Sequence, residues 1–146
     1  MTTPDAERMW AALLRTHAVL VPQFDAELRA ATGLPLAWYD VLLELNASGG
    51  SMRMTDLGER VVLSRTRVSR IVSEMERAGL VARDTNPHDG RSSIASLTAE
   101  GKHQFLAAAR VYPNCIRLAL TDVIPVEDLR TTADSLERIY RSRAPQ

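Results

Sequence analysis

The sequence predicts a mainly α-helical fold that carries one small β-hairpin. Apolar residues recur at helical spacing through most of the chain. The hydrophobic fraction, 45%, is built from Leu, Val and Ala with only 5% aromatic residues, a composition that leans to helices rather than a β-sandwich. One turn-rich stretch, Arg83 to Arg91, precedes a short alternating run from Ser92 to Leu97, which is the pattern of a two-stranded hairpin. A chain of 146 residues without repeats, linkers or low-complexity segments is expected to form one domain.

From Asp5 to about Ala31, Met9, Trp10, Leu13, Leu14, His17, Leu20, Val21, Phe24 and Leu28 share one helical stripe. They predict a long first helix that Pro22 bends without ending, with Gly33 and Pro35 marking its break. A second helix, Leu36 to Asn46, carries Trp38, Val41, Leu42 and Leu45 and stops at a flexible run, Ala47 to Ser51. A short third begins near Thr55 and Asp56 and reaches about Val61. Ser64 can cap a fourth, whose Val68, Ile71, Val72 and Met75 fall at i, i+3, i+4 and i+7, and Gly79 closes it. After the hairpin, Thr98 introduces a helix to about Leu120, bent at Pro113. Pro125 opens a last one with Val126, Leu129, Leu136 and Ile139 on one face.

Eighteen basic and eighteen acidic residues cancel, so any nucleic-acid role must come from local charge placement. The single cysteine, Cys115, excludes a disulfide framework and a cysteine-rich metal site and suits a reducing compartment. No basic-then-apolar leader and no membrane-length apolar stretch is present, so the cytoplasm is the expected location. Enzymatic function is excluded by the lack of a Ser/His/Asp order, a phosphate loop or metal-ligand spacing among His17, His88 and His103, and no cofactor or metal is expected.

Local charge is concentrated on the fourth helix. At about 100° per residue, Thr66, Arg70, Ser73 and Arg77 lie opposite the apolar stripe, with Arg67 and Ser69 flanking. Between Ser64 and Arg70 stand three arginines, Arg65, Arg67 and Arg70, and no acid; Glu74 and Glu76 come only in later turns. A recognition helix points its N-terminal half at base edges, where arginine grips guanine and hydroxyls reach bases or phosphates. The short helix and turn before it, Thr55 to Leu63, would cross the phosphate backbone, with Gly58 as the small residue where the two helices approach. The hairpin tip, Asn86 to Arg91, carries His88, Asp89 and Arg91; an arginine there can enter the minor groove, with Asp89 orienting it or fixing the turn. Three exposed arginines alone are usually a solvated face. Short helix, Ser-capped Arg-rich helix, Gly-terminated turn and arginine-tipped hairpin in that order predict a winged helix-turn-helix over about 36–97.

In these residues the chain resembles the MarR family of bacterial regulators. The resemblance covers nearly the whole chain and is carried by Leu57, the run Ser64 to Val72, Met75 to Val81, Asp89-Gly90-Arg91 and Leu97 to Gly101. The family often has a second arginine where this chain has Gly90, and usually alanine where it has Gly58. The resemblance implies a homodimer in which helices of about 5–34 and 98–143 interlock with those of a partner copy. It also implies recognition helices in successive major grooves about 34 to 36 Å apart on a pseudo-palindromic double-stranded DNA operator. Family members mostly repress transcription, and many release DNA on binding a small aromatic or phenolic acid.

Trp10, His17, Trp38, Tyr39 and Asp40 are the expected effector contacts, aromatic walls with a few polar groups, set against core packing for the tryptophans and an interface role for His17. Two other readings stay open: a winged-helix protein-interaction module without DNA binding, and a redox-sensing regulator acting through Cys115. The late position of that cysteine, beside Ile116, favours a buried inert thiol.

Overall fold

The computed structural model describes residues 1–86 and 89–144, with side chains except those of Asn86 and residues 89–92. It divides into two compact units, Met1–Val111 and Tyr112–Gln146. The first opens with α1 (Pro4–Thr32), whose N-cap Thr3 accepts from the Ala6 amide at 3.2 Å. The helix runs through Pro22 and ends where Gly33, at φ 75°, turns back its amide onto the Arg29 carbonyl. Phe24 and Leu28 anchor its C-terminal half in the core.

Helix α2 (Leu36–Ala47) buries Leu36, Tyr39, Val41, Leu42 and Leu45. The stretch after it, expected to be flexible, is an ordered turn. Gly49 and Gly50 take positive φ, and the Ser48 hydroxyl bridges the Leu45 and Ser51 carbonyls. The turn leads into a strand that the sequence reading lacks, β1 (Ser51–Arg53), whose three residues are too few to show alternation. Helices α3 (Met54–Arg60) and α4 (Arg65–Arg77) follow, and Val68, Ile71, Val72 and Met75 of α4 are buried as their spacing predicts.

Strands β2 (Val81–Asn86) and β3 (Asp89–Leu97) form the hairpin, and β1 adds to its far side, giving an antiparallel sheet in the order β1-β3-β2. The strands extend well past the expected turn boundaries. Arg83 pairs with Ala95 and Thr85 with Ser93, because cross-strand hydrogen bonds hold residues of modest β-propensity extended. Strand β3 gives way to the next helix at Thr98. Its hydroxyl donates to the Gly79 carbonyl at 2.7 Å and accepts from the Gly101 amide at 3.0 Å, capping α5 (Ala99–Ile116) while fastening it to the end of α4.

In the second unit the helical winding widens to a π-helical segment, Arg117–Thr121, where one bent helix to about Leu120 is expected. The Arg117 guanidinium spans it, bonding Asn114 at 2.9 Å and the Asp122 carboxylate. Helix α6 (Val126–Arg143) has no buried residue and leaves Val126, Ile139 and Tyr140 exposed.

Candidate nucleic-acid interface

The apolar stripe of α4 decides which side chains face outward. With Val68, Ile71, Val72 and Met75 inward, Ser64, Arg65, Thr66, Arg67, Ser69, Arg70 and Arg77 are all exposed. The Ser64 hydroxyl accepts from the Arg67 amide at 3.2 Å and so fixes the first turn. Arg65 lies 3.8 Å from Glu59, an exposed pair of small energetic weight. Among the described residues, no carboxylate within 4.0 Å engages Arg67, Arg70 or Arg77.

Ser73 stands apart from the others. It is half-buried, its hydroxyl donates to the Ser69 carbonyl at 3.0 Å, and it accepts from Arg83 Nη2 at 3.1 Å. Arg83 is a partner of this helix face that sequence reasoning missed. Its signal was available only once β2 was known to be long, because Val81 and Arg83 then share the strand face that packs on α4.

Two clefts flank α4. One, of about 230 Å³, is lined by Thr55, Gly58, Arg65, Ser69, Arg83 and Ser93. The other, of about 360 Å³, lies between the end of α1, the start of α2 and α4, and is lined by Arg29, Trp38, Arg67, Arg70, Ile71 and Glu74. Gly58 is not forced by helix approach as expected: a Cβ there would meet the Arg65 Cγ at an ordinary 3.5 Å.

On the wing, the backbones of Asp89 and Arg91 lie in β3, but their side chains, and His88 altogether, fall outside the described residues. The expected effector contacts are spread out. Trp38 lines the larger cleft, while Tyr39 is buried and stacks on Phe105 of α5 with ring centroids 5.6 Å apart. Asp40 is half-buried, and Trp10 and His17 are exposed on α1. Consecutive positions on α2 diverge by about 100°, so its three candidates cannot line one wall. Burial, and then the nearby Glu44 carboxylate, push the Asp40 carboxyl up to about 6. Cys115 is buried, at 4% exposure. Among the described residues, no three His, Cys, Asp or Glu side chains are placed to hold a metal, and no helix is long and apolar enough to cross a membrane.

A family model described as the MarR family matches residues 32–92. The chain is similar to YcgE of Bacillus subtilis, an uncharacterized HTH-type transcriptional regulator, with 36% identity over 91 residues that cover 62% of this chain and 56% of YcgE. It spans about half the length of the curated relatives it matches. Among solved structures it resembles a MarR family transcriptional regulator from Streptomyces coelicolor in complex with DNA. That likeness has a TM-score of 0.91 and 25% identity, covering 100% of this chain and 92% of that one. It also resembles AbsC, a MarR family transcriptional regulator from the same organism, with a TM-score of 0.87 and 29% identity over 97% of this chain and 96% of AbsC.

Proposed function

We propose that this chain, which belongs to the MarR family through its residues 32–92 and takes that family's winged-helix fold throughout, is a sequence-specific DNA-binding transcriptional repressor of the cytoplasm. One observation carries this reading: the first two turns of α4 present Arg65, Arg67 and Arg70 outward with Thr66 and Ser69 beside them, and no carboxylate among the described residues engages Arg67 or Arg70. A guanidinium in the major groove offers two parallel donors to guanine O6 and N7, and the hydroxyls serve bases or phosphates. The likeness to a regulator solved with DNA supports the same use of the helix here.

The working form is a homodimer on a pseudo-palindromic operator. Along α1, Trp10 is 61% exposed, Leu14 51% and Val21 39%, an apolar face that water does not favour and a second copy of the chain would cover. The effector is a small aromatic or phenolic acid in the larger cleft, with Trp38 as its apolar wall and Arg29, Arg67 and Arg70 as its cations. A ligand seated there engages two arginines that DNA also needs, so ligand and operator compete.

The test is fluorescence anisotropy on the intergenic DNA beside the chain's own gene and on scrambled DNA, at several salt concentrations, with an Arg70/Arg91 double alanine variant in parallel. Saturable, sequence-dependent binding that the variant loses supports the reading. Equal, weak binding to both duplexes, unchanged in the variant, favours a winged-helix protein-interaction module.

A further inference from the structure

Arg83 lies on the wing strand rather than on the reading helix, and the proposed function does not use it. Its Nη2 donates to Ser73 Oγ at 3.1 Å and, more weakly, to the Ser69 carbonyl at 3.5 Å. The Ser73 hydroxyl spends its one proton on that same carbonyl, at 3.0 Å, which leaves a lone pair for the guanidinium. Arg83 Nε is buried with no acceptor among the described residues. The cation is therefore held by neutral oxygens of one turn of α4.

The geometry matters because of where β2 leads. Arg83 pairs with Ala95 of β3, and the strand continues through Asp84 and Thr85 to the hairpin tip. Val81, on the same strand face, is buried against the core and sets the spacing between strand and helix. An apolar contact sets spacing alone, whereas a planar guanidinium against two oxygens of one helical turn also resists rotation of the strand about the helix. A reader that places α4 in the major groove and the wing in the neighbouring minor groove needs that angle held.

We infer that Arg83 is a positioning residue that locks the wing strand to the reading helix through Ser73, so that helix and wing engage DNA as one rigid reader although Arg83 touches no DNA. The inference rests on the DNA-binding reading above. Its test uses the full chain and a duplex enriched by the wild-type chain from a random-sequence pool. Arg83→Ala should weaken binding to that duplex by about tenfold while binding to scrambled DNA changes less than about threefold, with the salt slope unchanged because no phosphate contact is lost. Ser73→Ala should act in the same direction, and the double variant should lose no more than Arg83→Ala alone. Arg83→Lys, with one donor to Ser73 and no fork, should recover part of the loss.

Binding of the enriched duplex by Arg83→Ala within about twofold of wild type overturns the inference, as does a uniform loss on both duplexes with a salt slope flatter by about one, the mark of a phosphate contact. If Arg83→Ala does not fold, Ser73→Ala decides: selectivity within about twofold of wild type overturns the inference. An empty selection from the wild-type chain removes the DNA-binding reading and this inference with it, whereas an enriched duplex indifferent to both variants removes this inference alone.

Discussion

Asp25 Oδ1, near the end of α1, accepts a hydrogen bond from the backbone amide of Leu36, the first residue of α2, at 2.9 Å. Pro35 occupies the N-cap of α2 and has no side chain to satisfy that amide, so a carboxylate eleven residues back in the chain does so. Arg29 Nε, one turn further along α1, bonds the other carboxylate oxygen at 2.8 Å. The pair fixes the corner where α2 starts, and with it the larger cleft that Trp38 and Arg29 share with α4.

Replacing Asp25 with alanine should therefore lower stability by about 1 kcal/mol, the scale of a lost helix cap, and the thermal midpoint by about 2–4 °C. Burial pushes this carboxyl up, but the Leu36 amide and then the Arg29 guanidinium outweigh it and hold the group below its usual range. Its contribution is thus complete above the ordinary carboxylate range and fades as pH falls through the lowered value. Melts of wild type and Asp25→Ala should converge in acid; a gap that persists at the lowest pH would contradict the assignment.

Asp40 has the opposite sign. Its carboxyl, raised to about 6 by burial and then by Glu44, binds a proton more tightly folded than unfolded. Stability should fall as pH rises from about 4 to about 6 and stay lowered above that. Asp40→Asn should melt higher than wild type at pH near 7.5, and the difference should close towards pH about 4. Parallel pH profiles for the two proteins would rule this out.

Two glycines separate cleanly. At Gly101 an added Cβ would fall on the Leu80 carbonyl oxygen and crowd Leu97, and neither the backbone nor the packed helix can yield cheaply. Gly101→Ala should cost about 1–3 kcal/mol or more in denaturant unfolding. Gly58 lies within α3 with room for a methyl, so Gly58→Ala should gain up to about 1 kcal/mol. The reverse order of stabilities would overturn this account of the close approach between α5 and the end of α4.

Arg70 stands opposite the apolar stripe of α4, where it would meet base edges. Arg70→Ala should weaken operator binding by about 1–3 kcal/mol and relax sequence preference. A loss shared equally by every sequence, with a flatter salt dependence, would reassign Arg70 to a phosphate.

The exposed stripe of α1 makes the oligomeric state testable without DNA. Light scattering should give a dimeric mass for wild type and a monomeric mass for a Trp10→Glu/Leu14→Glu variant, since two buried charges without partners oppose association. A variant that stays dimeric would place the interface elsewhere.

Much of this molecule was legible in its sequence because local rules and burial agreed. Ser64 as cap, Gly79 as terminator and the Val68, Ile71, Val72, Met75 stripe together define α4 from both ends and from one face, and the outward arginines follow from helical period alone. The family resemblance rested on the same residues. What stayed hidden depends on partners distant in the chain. Strand β1 exists because β3 pairs with it, Ser51 against Ser96 and Arg53 against Ile94, and three residues carry no pattern of their own. The Asp25 cap on Leu36 and the Arg83 bond to Ser73 join residues eleven and ten positions apart on different elements. Sequence thus determined the periods, caps and outward charge of each helix, which are properties of neighbours in the chain. The tertiary structure alone decided how α2 is fastened to α1 and β2 to α4, because a hydrogen bond between elements exists only once packing has set their distance and angle.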